Sequence, residues 1–262
     1  MLTAVLATIK SVAHAEIMPR YLKVARQQKS DGSLFTEADM ASQAALVSGL
    51  REVLDCPVLG EEMSAEEQER LWLEANESGL WCIDPIDGTS NFVNGLPYFA
   101  VSVGLVRGGR GVLGAVYDPI ADEMFYAQQG FGAYLNGVRL PIKAHAPLLR
   151  HAMAAVDFKR LAKDLARELA ADPPFASQRN YGASTLDWCY TAAGRFDLYL
   201  HGGQKLWDYV AGALILEEAG GAMCTLTSDD YWRDDLWKRS VIAASNPELF
   251  QEWKTWIRAR TR

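Results

Sequence analysis

WCIDPIDGTSNF, residues 81–92, is the stretch on which the fold and the chemistry of this 262-residue chain turn. An apolar run ends in two aspartates, Asp84 and Asp87, with Pro85 between them and Gly88-Thr89 behind. Asp-Pro or Asp-Gly alone reads as a turn that closes a strand. Both together, after a buried run, read as a site. Pro85 removes one backbone donor and stiffens the turn, so the carbonyl of Ile86 can point toward the carboxylates rather than into a ladder. Two carboxylates and a carbonyl are hard oxygen donors, suited to Mg²⁺ or Mn²⁺ rather than to a soft metal. A helical turn beginning at Gly88 and Thr89 would aim free N–H groups at an anion beside that metal. Phosphoryl chemistry needs a cation and an anion site side by side.

Working outward, Leu2, Val5, Leu6, Ile9, Val12 and Ala13 keep helical spacing. A polar stretch, KSDGSLFTEAD, leads to a second helix that reaches about Leu54. PVLG is a short buried strand ending in Glu61-Glu62, and Ser64 to Glu67 has the spacing of a capping box. LWCID, Phe99 to Val106, Val112 to Tyr117 and Glu123 to Ala127 read as strands, and Asn136-Gly137 marks a hairpin. The first half is therefore helices followed by an antiparallel meander. From about Arg150 strands and helices alternate: HAMAAVDF, a helix from Lys159 to Ala171, a helix from Ser184, FDLYLHG, a helix from Trp207 to Ala219, SVIAAS, and a last helix opened by Pro247. This is an α/β chain of α+β mixed character. The expected organisation is one compact unit of two subdomains, 1–145 with most of the metal ligands and 146–262 as an α/β layer.

Composition narrows the function classes. A chain that is 49% hydrophobic builds a real core, and a net charge of −7 argues against a nucleic-acid or anionic-membrane surface. The four cysteines are widely spaced without a CxxC pair, as buried thiols of a reducing compartment are. No apolar run reaches the roughly 20 residues of a membrane-crossing helix. Lys10 interrupts the apolar N-terminus and no basic region precedes it, so a cytoplasmic protein is expected.

DPIDGTSNF resembles the first signature of the inositol monophosphatase family, Mg²⁺-dependent, lithium-sensitive phosphomonoesterases. GEE precedes it, and WDYVAGALILEEAGG, residues 207–221, resembles the second signature, with Val210 where a small residue is usual. The resemblance implies a layered α-β-α-β-α sandwich, usually dimeric. It implies two or three Mg²⁺ ions, with Mn²⁺ as the substitute, held by Glu61, Asp84, the carbonyl of Ile86, Asp87 and Asp208. Thr89 would orient the attacking water, paired with Asp39, and Glu61 would join the catalysis. Gly88, Thr89, Ser184, His201 and Asp208 would meet the phosphate or the rest of a small phosphorylated substrate.

Each residue has a plainer reading. Asp39 completes a capping box with Thr36, Thr89 could be an N-cap, and Asp208 could serve the dipole of a helix start. Glu62 suits solvent or a supporting role. His201 stands where inositol-type members carry a glutamate that binds substrate hydroxyls. An imidazole that can donate there, followed by Gly202-Gly203 and Lys205, points to a sugar phosphate or a second anionic group; the plainer reading is a packed strand end. Fructose-1,6-bisphosphatase, 3′-nucleotide phosphatase and histidinol phosphatase share the metal motifs and remain alternatives. Outside the enzyme class stand a regulatory binding partner with incidental phosphatase activity and a passive metal store, which would need neither Thr89 nor a Gly-Thr anion site.

Overall fold

The alternation of elements resolves into five layers. The computed structural model describes residues 1–23, 27–28, 34–75, 79–233 and 237–261. The first half runs α1 (Leu2–Val12), β1 (Gln27–Gln28), β2 (Leu34–Phe35), α2 (Glu37–Val53), β3 (Val58–Gly60), α3 (Ala65–Glu74), β4 (Leu80–Asp87), α4 (Thr89–Asn94), β5 (Ala100–Arg107), β6 (Arg110–Asp118), β7 (Glu123–Gln128), β8 (Ala133–Leu135) and β9 (Val138–Arg139). The second half runs β10 (Met153–Asp157), α5 (Lys163–Ala171), β11 (Ser177–Arg179), α6 (Ser184–Ala192), β12 (Leu198–Lys205), α7 (Leu206–Glu218), β13 (Ala222–Cys224), β14 (Lys238–Ala244) and α8 (Pro247–Arg258).

Strands β3 to β9 form one sheet in sequence order, antiparallel except for the parallel β3–β4 pair. The second sheet has the order β11-β10-β12-β14-β13, parallel across the first three strands and antiparallel beyond. The two-residue side-chain period of β4 explains the layering. Trp81 and Ile83 pack with Val5, Ile9, Leu46 and Leu50 of α1 and α2, while Leu80 and Cys82 face Trp188, Tyr209 and Leu214 of α6 and α7. The second sheet closes over those helices, and its outer face, with Leu198, Leu200 and Ile242, packs on Leu165, Trp253 and Ile257 of α5 and α8. All four cysteines are buried free thiols. Among the described residues no helix is long and apolar enough to cross a membrane.

Two element boundaries differ from the sequence expectation. The strand beginning LWCID continues to Asp87 across a bulge, since Asp84 pairs with Ser102 and Asp87 with Ala100. Three steps on β4 oppose two on β5, so Pro85 and Ile86 leave the ladder. The helix expected from Lys159 starts at Lys163, because the Asp157 carboxylate accepts the Lys159 N–H at 3.0 Å and closes a tight 3₁₀ turn over Phe158–Arg160 first. The hairpin at Asn136-Gly137 is as expected, both residues having positive φ. Val210, unusual for its motif, is accommodated from the facing strand: a side chain at Gly104 would meet its Cγ1 at 2.4 Å. The floor under the motifs is thus packed backbone to side chain, with a glycine where the helix carries extra volume.

Candidate active site

The bulge in β4 opens one wall of a cavity of about 510 Å³. Lining it are Glu61, Asp84, Ile86, Asp87, Gly88, Thr89, Ser184, His201 and Asp208, every expected site residue except Asp39. They come from β3's end, β4, the β4–α4 turn, α6, β12 and α7. Glu62 is not among the lining residues; its N–H donates to Gln43 Oε1 at 2.9 Å.

Three of the carboxylates are fixed by one oxygen. Asp84 Oδ1 accepts the Ile86 N–H at 3.0 Å, and Asp208 Oδ2 accepts the Lys205 N–H at 2.8 Å. Asp87 Oδ2 accepts both the N–H and the hydroxyl of Thr185 at 2.6 Å, in the first turn of α6, where the helix dipole favours an anion. These bonds hold the side chains in place before any ligand arrives. They do not offset the burial. Asp84 is 1% exposed and Asp87 9%. Burial first, then the charge of Glu61 and of the neighbouring aspartates, drives the Asp84 carboxyl well above the usual carboxylate range. Burial and then Asp87 and Glu61 do the same to Asp208, and burial pushes Asp87 up to about 6 against its bonds from Thr185.

Four carboxylates and one carbonyl around one cavity repel each other unless a cation sits among them. The donor set is all hard oxygen, and that fits Mg²⁺ or Mn²⁺ in both kind and number. Among the described residues no three acidic, imidazole or thiolate groups already form a tight cage; the acids line the walls of the cavity instead.

Asp39 lies behind this surface and serves two neighbours. Its Oδ2 accepts the N–H and hydroxyl of Thr36, both at 2.7 Å, completing the capping box of α2. Its Oδ1 faces the Thr89 hydroxyl at 3.3 Å, which also has the Ile86 carbonyl at 3.1 Å. Capping and a link to Thr89 therefore coexist in one carboxylate. Burial raises the Asp39 carboxyl, offset in part by Thr36 and reinforced by Glu61.

His201 is placed differently from its expected use as a donor to substrate. Its Nδ1 accepts the Gly203 N–H at 3.1 Å, which leaves the proton on Nε2. Nε2 in turn stands 3.4 Å from Asp157 Oδ2. The ring borders the cavity, but its one donor is directed to Asp157. Parallel pairing of β10 with β12 sets Asp157 opposite His201 and creates this contact.

Sequence reasoning missed several lining residues: Asp157, Lys159, Arg160, Asp187, Gln204 and Lys238. Asp157 to Arg160 follow the carboxyl end of a parallel strand, where α/β sheets bind ligands, and that signal was available. Asp187 was not so legible: it is 6% exposed, accepts the Tyr98 hydroxyl at 2.9 Å, and is held far above the usual range by burial.

Comparison with known proteins gives concordant results. The model of the Inositol monophosphatase family matches residues 1–260. The Nus factor SuhB of Pasteurella multocida is 39% identical over 204 residues, 75% of this chain and 73% of that protein. The fructose-1,6-bisphosphatase/inositol-1-monophosphatase of Aquifex aeolicus is 39% identical over 187 residues, 70% of this chain and 67% of that protein. The solved structure of the IMPase of Thermotoga maritima superposes with a TM-score of 0.78 at 27% identity, covering 96% of this chain and 97% of that one.

Proposed function

The chain belongs to the inositol monophosphatase family, and on that premise we propose that it hydrolyses a small phosphate monoester, an inositol-1-phosphate-like compound or a sugar phosphate, with Mg²⁺ as its cofactor. The observation that carries this reading is the convergence of Glu61, Asp84, Ile86, Asp87 and Asp208 on one cavity with the Thr89–Asp39 pair beside it. These five residues would hold two or three ions through three aspartates, one glutamate and one carbonyl. Charge neutralisation of the ester and activation of water are the chemistry such cations supply when bound.

The chain's own groups supply the rest. The Thr89 hydroxyl has one proton and two acceptors, Asp39 Oδ1 and the Ile86 carbonyl. Once it donates to Asp39, its oxygen is left to accept a proton from water, which orients that water's lone pair toward phosphorus. As the water oxygen attacks phosphorus, the ester P–O bond breaks and the substrate leaves as an alkoxide that takes a proton from solvent, while the attacking water's proton passes to Thr89 Oγ1 and the threonine's own proton to Asp39 Oδ1. The raised Asp39 carboxyl suits that duty. Thr36 keeps Asp39 from turning away. Gly88 and Ser184 border the space where the phosphate would lie.

The alternatives within the class, a fructose-1,6-bisphosphatase, a 3′-nucleotide phosphatase or a histidinol phosphatase, differ only in what fills the cavity beyond the acids. A second reading, a regulatory protein that acts by assembly, draws support from the Pasteurella multocida relative, whose name states a factor rather than a substrate. Phosphate release from a panel of esters, with Mg²⁺ and then with EDTA, separates the two. Metal-dependent turnover of at least one ester is expected; silence across the panel from folded, metal-supplemented protein would favour the assembly reading. A homodimer is part of the same proposal.

A further inference from the structure

Glu61 reaches the cavity from a turn just past the end of a sheet edge. β3 is an edge strand of three residues, and its pairing with β4 ends at Gly60 opposite Ile83. Past that point the Glu61 N–H still meets the Ile83 carbonyl, at 3.3 Å. The three aspartates, by contrast, stand inside β4 and in the first turn of α7. A glutamate stem adds a rotatable bond to this looser base. The direction of the Glu61 carboxylate therefore depends on what fixes the backbone beneath it.

Two glutamines that line no part of the cavity fix it. Gln68 of α3 donates through Nε2 to the Gly60 carbonyl at 3.0 Å and to the Glu61 carbonyl at 3.3 Å; an amide nitrogen with two hydrogens can serve both. Gln43 of α2 accepts the Glu62 N–H on Oε1 at 2.9 Å. The Glu61 carbonyl and the Glu62 N–H belong to one planar peptide group, so α3 holds its oxygen and α2 holds its nitrogen. Rotation of that plane about the Glu61 Cα is blocked from both sides. Local sequence arranges both contacts. The Ser64–Glu67 capping box starts α3 soon after Glu61, and helical side chains lean back toward the N-terminus, which brings Gln68 over the turn. Leu71, one turn further along the same face, is buried and anchors the helix. Gly60 leaves room for Gln43: a Cβ there would lie 2.3 Å from its Oε1.

We infer that Gln43 and Gln68 are positioning residues for Glu61, gripping its peptide from two helices and so setting how tightly the cavity holds a divalent cation. The inference rests on the metal-dependent reading above and adds to it two residues that touch neither substrate nor cation. The mostly exposed α3 then serves the site through Gln68.

The test compares Gln68→Met and Gln68→Glu with the wild type. The position is half-buried on a surface helix, and both changes keep the length of the side chain while removing the donor. Calorimetric titration of Mn²⁺ into metal-free protein reads affinity without turnover. Gln68→Met should bind about tenfold more weakly, the lower end of the range for residues that support metal ligands from outside, because it acts through the backbone. Gln68→Glu separates the grip from the local field. An added negative charge alone would tighten cation binding, whereas a lost grip weakens it as in Gln68→Met. Gln43→Met repeats the test from α2. At saturating Mg²⁺ kcat should return close to the wild-type value, the loss being confined to the Mg²⁺ concentration required. Thermal unfolding in EDTA should shift by no more than about 3 °C, as for one part-buried hydrogen bond in a chain of this size. Mn²⁺ affinity unchanged in Gln68→Met, or tightened in Gln68→Glu, overturns the grip and leaves hydrolysis standing. Weakened Mn²⁺ binding in these variants of a chain inert on every ester would overturn hydrolysis and leave the grip.

Discussion

The acids and the cations that line the cavity differ in how they hold charge. Asp84 and Asp87 are buried and Asp208 is half-buried, and each is fixed through one oxygen by a backbone N–H. Lys159, Arg160, Lys205 and Lys238, which line the same cavity, are exposed on flexible stems. The acids are costly to bury and are positioned before any partner arrives, as catalysis requires. The cations stay solvated, cost little, and can adjust to an anion of more than one shape. Rigid charge suits bond breaking, and mobile charge suits recognition.

Three experiments, in descending order of effect, would break or sharpen that contrast. Replacing Asp84 by Asn keeps the shape and removes one charge from the rigid end. Turnover should fall by ~10³ or more, the several kcal/mol that metal stabilisation of a transition state supplies. Thermal unfolding of the metal-free variant should be no earlier than that of the wild type, since a repelled buried charge is gone. An active Asp84→Asn enzyme would remove this residue from the ligand set.

Thr89→Ala deletes the hydroxyl between Asp39 and the cavity. A loss of about 10² in kcat is expected with KM little changed, within the range of proton-transfer and positioning groups. Thr89→Ser, which retains the hydroxyl, should recover most of it. Equal losses in both variants would mean that the methyl group, and so packing, matters rather than the proton.

The third experiment reads stability. Asp87 titrates near 6 in the folded chain, above the ~3.9 of an unfolded aspartate. Between those values the native state binds more protons than the unfolded one, so stability falls as pH rises through that window. Asp84 and Asp208 are shifted in the same direction and extend the fall upward. In EDTA the Tm should therefore be higher at pH 5 than at pH 8. Mg²⁺ at a hundred times its Kd should restore about 2.7 kcal/mol, more at pH 8 than at pH 5 because its ligands must be deprotonated. An EDTA Tm independent of pH, with no response to Mg²⁺, would show that these acids do not act as a cluster.

What could be read in advance follows the same division. Asp84, Ile86, Asp87, Gly88 and Thr89 lie within six consecutive residues, and the chemistry of that turn is written locally. Glu61 and Asp208 were reachable because each sits at the end of a recognisable element next to a motif. The capping duty of Asp39 was legible from TEAD, and the structure adds the contact to Thr89 on its other oxygen. The helix start at Lys159 was misplaced because helical propensity carries no information about Asp157 taking the Lys159 N–H.

The sequence by itself determined the acids of the 84–89 turn, most of the individual helices and strands and the two motifs that meet over the cavity, since each depends on residues near one another in the chain or on the periodicity of one element; the layered order was implied by the family resemblance. Only the tertiary structure decided what His201 touches and where the cations gather. Asp157 meets His201 through parallel register, and Lys205 meets Lys238 through antiparallel register on the other side of the same strand. Register between strands 33 or more residues apart is set by how whole sheets pack, because a slip of one residue would turn every side chain to the opposite face.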